Sequence, residues 1–346
     1  MSRTRRYVFA IFLIALAMCL SGLSQAADNG RPLTLQKTVT LPGYTGDFDH
    51  FAVDRDRGRL LLAAEDHGTL EIFDLKTGNH LRTIKGFQNP HSILIRPGKS
   101  TILVTDSGKS MSKLLDADTY AVKKTVPLVP GADSISYDAG DNLVYIVTGG
   151  KDVDMATVEL AAVDPDTGEK KGAITLQDNH VEAMAIEKNG NRLFINLTQT
   201  NKIAVIDRKV MKVLALWPVP AAEQNAMVAF DEAHHRLLLG CRKPGMVVVM
   251  NSDTGEITNS IAGPLRSDEL LFDVTNHRLY MPGGEGFIGV YDTSDPDHLK
   301  STASVPSTPG AKTGILLPDL KRMVLAVSPG ETKATAKVIT FEVSGE

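Results

Sequence analysis

A short turn phrase recurs seven times along this chain of 346 residues, at intervals of 41 to 50 residues. It reads Phe-Asp-Leu-Lys-Thr-Gly at 73–78, and its clearest counterpart is Val-Asp-Pro-Asp-Thr-Gly at 163–168. The second residue of the seven copies stands at positions 74, 116, 164, 207, 251, 292 and 342. A period of this length marks a supersecondary unit that buries its apolar face only by stacking on its neighbours.

Two further apolar phrases share this period. One includes RLLLAA at 59–64 and RLFINL at 192–197, and the other includes HFAVD at 50–54 and MVAFD at 227–231. Each unit contains four short runs rich in Val, Ile, Leu, Tyr and Phe that are separated by turn residues, which is the pattern of strands rather than helices. A four-stranded unit of about 40 residues predicts a propeller blade, so the chain is predicted to be an all-β, seven-bladed β-propeller.

The end of the repeat predicts how the ring closes. The seventh unit stops after AKVITFEV at 336–343 and lacks an outer strand, whereas a strand-like segment at 33–42 precedes the first unit without a blade of its own. We therefore expect residues 33–42 to complete the last blade, which removes an exposed sheet edge. The predicted blades are 46–86, 87–130, 131–177, 178–220, 221–263, 264–306 and 307–346 plus 33–42.

Some of the repeats resemble a known family. The segments VYIVTGG at 144–150, ILVTDSG at 102–108 and NKIAVIDR at 201–208 resemble the Tyr-Val-Thr-Asn phrase and the following Val-Ile-Asp strand of YVTN-repeat propellers. The region after the N-terminal segment is similar to the YncE-like branch of that family, which implies an exported bacterial protein. The resemblance implies no single activity, because propellers serve as binding modules, scaffolds and enzymes.

The N-terminal segment has the order of a secretory signal. Arg3, Arg5 and Arg6 precede an apolar run at 7–20, and small residues follow up to Ala27. Fourteen apolar residues are too few to span about 30 Å of hydrocarbon, so a cleaved signal peptide at 1–27 is favoured over a membrane anchor. We expect a periplasmic or secreted mature protein, residues 28–346, with no membrane span.

Charge and cysteine content limit the partners. The net charge is −4, and loss of the predicted signal removes three arginines and no acid, which makes it −7. This balance argues against a nucleic-acid partner, which requires a basic face. Cys241 is the only cysteine after the predicted signal, so no internal disulfide is expected. The run Gly284–Gly289 matches G-x-G-x-x-G, but a strand follows it rather than a helix, so no nucleotide cofactor is expected.

Aligned inner strands predict a polar ring at one end of the central channel. The position of Asp49 is occupied in successive units by Asp49, His91, Asp133, Glu182, Ala226, Asp268 and Thr313. Imidazole and carboxylate ligands suit Zn²⁺, and carboxylates suit Ca²⁺. The ring therefore predicts a divalent-metal site whose affinity weakens as pH falls through about 6.5, the usual pKa of histidine. Its candidate ligands are His50, His91, His180, Asp49, Asp133, Glu182, Asp268 and Glu269.

Three interpretations of this ring remain open. The first is a solvated acidic mouth without a ligand. The second is a binding or scaffold protein that holds a metal, a small molecule or a protein partner at the rim. The third is an enzyme, because resemblance to propeller lactonases and cycloisomerases implies a His and Glu acid–base pair with basic residues for a carboxylate or oxyanion. The residues that would serve are His180, Glu182, Arg242 and Lys312.

Overall fold

A computed structural model describes residues 31–108, 111–330 and 335–345. The predicted signal peptide lies outside these residues. The described strands belong to a compact unit, Pro32–Glu346, and form seven antiparallel sheets of four strands each. The prediction of a seven-bladed β-propeller is confirmed. No helix among the described residues is long and apolar enough to cross a membrane.

The strands follow one another from the channel outward in each of the first three blades. Blade 1 contains β2 (Phe51–Asp54), β3 (Arg59–Ala64), β4 (Thr69–Asp74) and β5 (His80–Lys85). Blade 2 contains β6 (Pro90–Ile95), β7 (Thr101–Asp106), β8 (Ser112–Asp116) and β9 (Val122–Val126). Blade 3 contains β10 (Ile135–Asp138), β11 (Leu143–Gly149), β12 (Val158–Val163) and β13 (Lys170–Leu176), with a 3₁₀ turn at Lys151–Val153.

The next three blades repeat this order. Blade 4 contains β14 (Met184–Ile186), β15 (Arg192–Leu197), β16 (Lys202–Asp207) and β17 (Lys212–Pro218). Blade 5 contains β18 (Glu223–Asp231), β19 (Arg236–Lys243), β20 (Gly245–Asn251) and β21 (Ile257–Ala262). Blade 6 contains β22 (Leu271–Asp273), β23 (Arg278–Gly283), β24 (Phe287–Asp292) and β25 (Lys300–Pro306).

The seventh blade is assembled from both ends of the described chain. It contains β26 (Ala311–Leu317), β27 (Arg322–Val327), β28 (Ala336–Val343) and, as its outer strand, β1 (Leu33–Leu41), with a 3₁₀ turn at Pro318–Leu320. Strand β1 runs antiparallel to β28, from Leu33 opposite Val343 to Leu41 opposite Ala336. The predicted closure of the ring by the N-terminal strand is confirmed.

The apolar phrases form the core between blades. The phrase RLLLAA of β3 is buried from Leu60 to Ala64, because a second strand is covered on both faces by neighbouring blades. The outer strand β17 instead alternates between exposed and half-buried positions, since only one of its faces meets a neighbour. This packing fixes the blades side by side and sends the loops of every blade to two rims.

Arginines join neighbouring blades at the rim where the second strands begin, which we call the far rim. Five second strands start with arginine, and each of these side chains donates to a turn of the next blade. The acceptors are the Ala117 carbonyl for Arg59, Asp253 for Arg192, Asp297 for Arg236, the Ser344 carbonyl for Arg278 and the Lys76 carbonyl for Arg322. The recurring arginine of the sequence phrase is therefore an inter-blade contact.

Candidate functional site

The opposite rim surrounds a polar cavity of about 470 Å³ at the mouth of the channel. Residues from all seven blades line it, so it lies on the axis of the ring. Eight of the lining side chains are carboxylates and four are lysine or arginine. The carboxylates therefore outnumber the lysines and arginines at the mouth. The carboxylates are Asp47, Asp49, Glu65, Asp133, Asp152, Glu182, Asp268 and Glu269, and the cations are Lys151, Arg242, Arg266 and Lys312.

The first strands aim their leading residues into this cavity. Asp49 and Asp133 lie just before β2 and β10, and their amides continue the strand ladders by donating to the Ala63 and Val147 carbonyls. Glu182 and Asp268 occupy the corresponding places before β14 and β22, while His91 is the second residue of β6. The sequence alignment of inner strands therefore placed these five side chains at the correct rim.

Asp49 links two histidines. His91 Nδ1 lies 2.5 Å from Asp49 Oδ2, and His91 Nε2 lies 2.9 Å from the Ser107 hydroxyl. His50 Nδ1 lies 2.6 Å from Asp49 Oδ1 and forms an ion pair with it. On the other side of its ring, His50 Nε2 lies 3.9 Å from Glu269.

Glu65 is the site residue that the sequence alignment missed. It follows β3, in the loop to the third strand, and its Oε1 lies 3.9 Å from His91 Nε2. Asp49, Glu65 and His91 each offer a ligand atom, and these three atoms lie within 4.8 Å of one another. The loops between second and third strands share this rim, so applying the repeat alignment to them as well would have found Glu65.

A chain of ion pairs runs along the other side of the mouth. His180 Nε2 contacts Glu182, and Arg242 binds both Glu182 oxygens, at 3.0 and 3.3 Å. Arg242 also donates to Asp268 at 2.6 Å. Lys312 then lies 2.7 Å from the second Asp268 oxygen and 2.9 Å from Asp47. All four residues proposed for an enzyme therefore lie in one network, in which each cationic group is paired with a carboxylate.

The histidines hold the central aspartate ionised. Burial alone would raise the pKa of Asp49, but the charges and contacts of His50 and His91 outweigh it and lower that pKa well below its ordinary value. Burial alone would lower the pKa of His91, but Asp133, Asp49 and Glu65 raise that pKa to about 10. The pKa of His50 is raised in the same way, chiefly by Asp49. In the absence of a bound cation, the two imidazoliums supply the missing positive charge.

At three other carboxyls, burial outweighs the nearby histidines and raises the pKa. Burial and neighbouring carboxylates raise the pKa of Glu65 to about 7, although His91 opposes this effect. Burial also raises the pKa of Glu269 to about 7 and that of Asp133 to about 6. Glu182 behaves differently, because contacts with His180 and Arg242 overcome its burial and hold its pKa well below the ordinary value. Glu65, Glu269 and Asp133 therefore hold their protons to higher pH than Asp49 and Glu182 do.

The eight predicted metal ligands do not form one coordination sphere. The structure brings Asp49 and His91 together and adds Glu65, while Asp133 stands 3.5 Å from His91. His50 lies on the far side of Asp49, beside Glu269. His180 and Glu182 contact each other, and Asp268 is bound by Arg242 and Lys312. Alignment by position could not separate these groups, because the separation depends on which way each side chain turns.

The raised carboxyl pKa values predict a loss of stability as pH rises. A carboxyl whose pKa is higher in the folded state binds its proton more tightly there, so it stabilises the fold at low pH. This contribution is lost between the unfolded value, near 4.5, and about 7 for Glu65. The raised pKa of His91 acts in the same direction, from about 6.5 to about 10. We expect the free energy of unfolding of the chelator-treated protein to be lower at pH 8 than at pH 5.

Glu65→Gln removes one of these charges and should reduce that loss. We expect this variant to be about 1 to 3 kcal/mol more stable than the wild type at pH 8 and nearly unchanged at pH 5. Urea unfolding at both pH values measures the difference. Glu256→Gln, at an exposed far-rim turn, is the control. An equal gain in both variants, or a wild type that gains stability from pH 5 to pH 8, would contradict the assignment.

Comparison with known proteins identifies the fold. No family model matches the chain, and no curated protein shows significant similarity to it. A chain of the solved structure titled "Crystal Structure of Mitotic Checkpoint Complex" superposes with a TM-score of 0.72 at 14% identity, covering 90% of this chain and 92% of that chain. The RRP9 WD40 repeats superpose with a TM-score of 0.73 at 10% identity, covering 90% of this chain and 100% of that chain. At such identities the likeness supports a WD40-like propeller and nothing more specific.

Proposed function

We propose that this propeller is a binding protein that holds a divalent metal ion at the mouth of its channel, with Asp49, Glu65 and His91 as ligands. The observation that carries the proposal is the placement of their three ligand atoms within 4.8 Å of one another. Asp49 and Glu65 come from two loops of blade 1 and His91 from strand β6 of blade 2, so the packing of these two blades assembles the ligands. One imidazole and two carboxylates form a ligand set that suits Zn²⁺.

The surroundings support a cation rather than an anion. Asp133 lies 3.5 Å from His91, and its carboxylate adds negative charge next to the three ligands. Because three protein ligands leave coordination positions open, water or a small molecule could complete the sphere. The rim above the metal would then be the place where a small-molecule or protein partner is recognised. The chain from the structure titled "Crystal Structure of Mitotic Checkpoint Complex" has the same fold, so this fold has a precedent as a component of a protein complex.

An enzyme with His180 as acid or base is the second candidate. It is favoured by the contact between His180 and Glu182, since a carboxylate that holds an imidazole is a recurring device of acid–base catalysis. However, Glu182 is also bound by Arg242 through both oxygens, and its lowered pKa makes it a weak proton acceptor. Lys312 and Arg242 are each paired with carboxylates, so neither offers free positive charge to an oxyanion. We therefore rank binding above catalysis.

Calorimetric titration of the chelator-treated protein with Zn²⁺ and Ca²⁺ tests the metal site. We expect Zn²⁺ to bind with a micromolar Kd and Glu65→Gln or His91→Asn to weaken it at least tenfold, because each variant removes one of three protein ligands. His235→Asn is the matched control, because His235 is 59% exposed and pairs with Asp253 at the far rim. Binding weaker than millimolar in the wild type, or an equal loss in the control, would reject the site.

The pH dependence of this titration follows from His91. The imidazole must lose a proton to bind the metal, and its pKa is raised to about 10 by Asp133, Asp49 and Glu65 against the effect of burial. We therefore expect Zn²⁺ affinity to rise by up to tenfold for each pH unit between 6 and 9. This pH range extends well above 6.5, the usual pKa of histidine, around which the sequence alone predicts the loss of affinity. Proton release measured in buffers of different ionisation enthalpy should approach or exceed one proton per metal.

The location and family of the protein also remain proposals. We propose an exported, periplasmic or secreted protein of the YVTN-repeat, YncE-like type. The N-terminal arginines, the apolar run at 7–20 and the small residues up to Ala27 support export. The segments at 102–108, 144–150 and 201–208 support the family. An exported protein would meet metal ions and ligands outside the cytoplasm, which is consistent with an open binding mouth.

A further inference from the structure

A second cavity, of about 220 Å³, lies at the far rim between blades 7 and 1. It is formed where β1 closes the ring, so residues of blade 1 and residues of blade 7 face each other across it. Most of its walls are apolar and come from buried or half-buried side chains of both blades. These are Leu60, Phe73, Leu317, Val324 and Val338.

Two cations line this cavity without a carboxylate partner of their own. Arg322 donates to the backbone carbonyls of Leu75 and Lys76, at 3.0 and 2.8 Å. Lys37 donates to the Thr77 carbonyl and to the Asn79 side chain, at 2.6 and 2.5 Å. Among the described residues neither cation forms an ion pair. Their acceptors are neutral, so both positive charges remain uncompensated.

One carboxylate, Asp74, also lines the cavity, but it is engaged in the turn. Its Oδ1 accepts from the amide and the hydroxyl of Thr77, at 2.6 and 2.7 Å. With Arg322 and Lys37 positive and Asp74 negative, the lining carries one net positive charge. A monoanion would neutralise it.

The other repeats show what is missing at this junction. In blades 2, 3 and 5 the fourth residue of the turn phrase is an aspartate that pairs with an arginine of the preceding blade. The pairs are Asp118 with Arg57, Asp166 with Arg96 and Asp253 with Arg192, at 2.5 to 2.8 Å. In blade 1 this position is Lys76, so Arg322 meets carbonyls where Arg192, at the same strand position in blade 4, meets the carboxylate of Asp253. Arg59 and Arg278, at the same strand position in blades 1 and 6, also donate to carbonyls of the next blade. The cavity is what distinguishes the junction of blades 7 and 1.

We propose that this cavity binds a small monocarboxylate with a compact apolar body, whose carboxylate takes the place of the absent aspartate beside Arg322. The apolar walls accept the body of the acid, and Lys37 lies on the same lining as a second positive charge. Arginine binds a carboxylate through two parallel hydrogen bonds, which favours this group over a neutral one. A cavity of about 150 Å³ is enough for benzene in another protein, so an acid the size of benzoate fits about 220 Å³.

Titration with benzoate, followed by saturation-transfer NMR and calorimetry on the purified protein, tests the proposal. We expect a Kd of about 1 mM or tighter, as suits a ligand of this size. Benzamide has nearly the same shape without the charge, and we expect it to bind at least tenfold more weakly. Arg322→Met and Lys37→Met should each weaken benzoate at least fivefold.

Lys76→Asp is the decisive variant, because it supplies the aspartate that blades 2, 3 and 5 possess at this position. We expect it to raise the melting temperature by pairing with Arg322 and to weaken benzoate at least tenfold. Lys76→Gln removes the same positive charge without adding a carboxylate, so it should keep benzoate affinity within about twofold. The proposal is overturned if benzoate does not bind at 10 mM, if benzamide binds equally well, or if Lys76→Asp leaves benzoate affinity unchanged.

Discussion

Deletion of Leu33–Pro42 is expected to leave most of the protein aggregated, with a sharply lower melting temperature in any soluble fraction. The deletion removes β1, which pairs with β28 from Leu33 to Leu41, and so exposes the edge of β28. It also removes Leu33 and Leu41, each 2% exposed, whose burial contributes about 3 to 6 kcal/mol together. Size-exclusion chromatography and thermal unfolding of the soluble fraction measure both effects.

Deleting residues 28–31 is the control for shortening the chain, because it stops before β1. Two point variants separate packing from strand pairing within β1. Leu41→Ala should cost about 2 to 5 kcal/mol, because this side chain is buried. Leu35→Ala should change stability by less than about 0.5 kcal/mol, since Leu35 is 55% exposed. Equal melting temperatures for the two deletions would contradict the role of β1 in closing the ring.

Arg242→Met is expected to destabilise the protein by about 3 to 5 kcal/mol. Arg242 is mostly buried at the channel mouth, where it binds Glu182 of blade 4 and Asp268 of blade 6. Methionine preserves much of the side-chain volume but leaves both carboxylates without this cation. The loss of one partner of a buried ion pair costs more than the pair contributes, because a desolvated charge remains. Urea unfolding at pH 7 measures the effect.

Removal of the two carboxylates that lose their partner should restore part of the stability lost in Arg242→Met. In the background of Arg242→Met, the substitutions Glu182→Gln and Asp268→Asn should recover about half or more of the lost stability, because neutral amides cost less to bury. Arg55→Met is the surface control. Arg55 pairs with Asp319 at 2.6 Å, but both side chains are about half exposed, so its loss should cost less than about 1 kcal/mol. A similar cost for Arg55→Met and Arg242→Met would show that burial of the network is unimportant.

The sequence was sufficient for the architecture, because every blade repeats the same two constraints. The apolar phrases of the second strands, such as Leu60–Ala64, require cover on both faces, and turn residues set the length of each strand. The N-terminal strand had no blade of its own and the last unit lacked an outer strand, so the two were predicted to pair and close the ring. The pairing of Leu33 with Val343 confirms this closure. Alignment of the repeats also placed Asp49, His91 and Glu182 at one rim.

The tertiary structure alone decided how those rim residues are grouped. Alignment records the blade and the strand position of a residue, but not the direction of its side chain across a cavity. The ring places Glu65 of one loop within reach of His91 on the next blade, while it turns His180 toward Glu182. Interactions between charges depend on distances of a few ångströms and on burial, and both arise only when seven blades, distant in sequence, meet around one axis. For the same reason, the sequence did not reveal that Arg322 lacks a carboxylate partner. The turn that Arg322 contacts belongs to blade 1, at the other end of the repeat array.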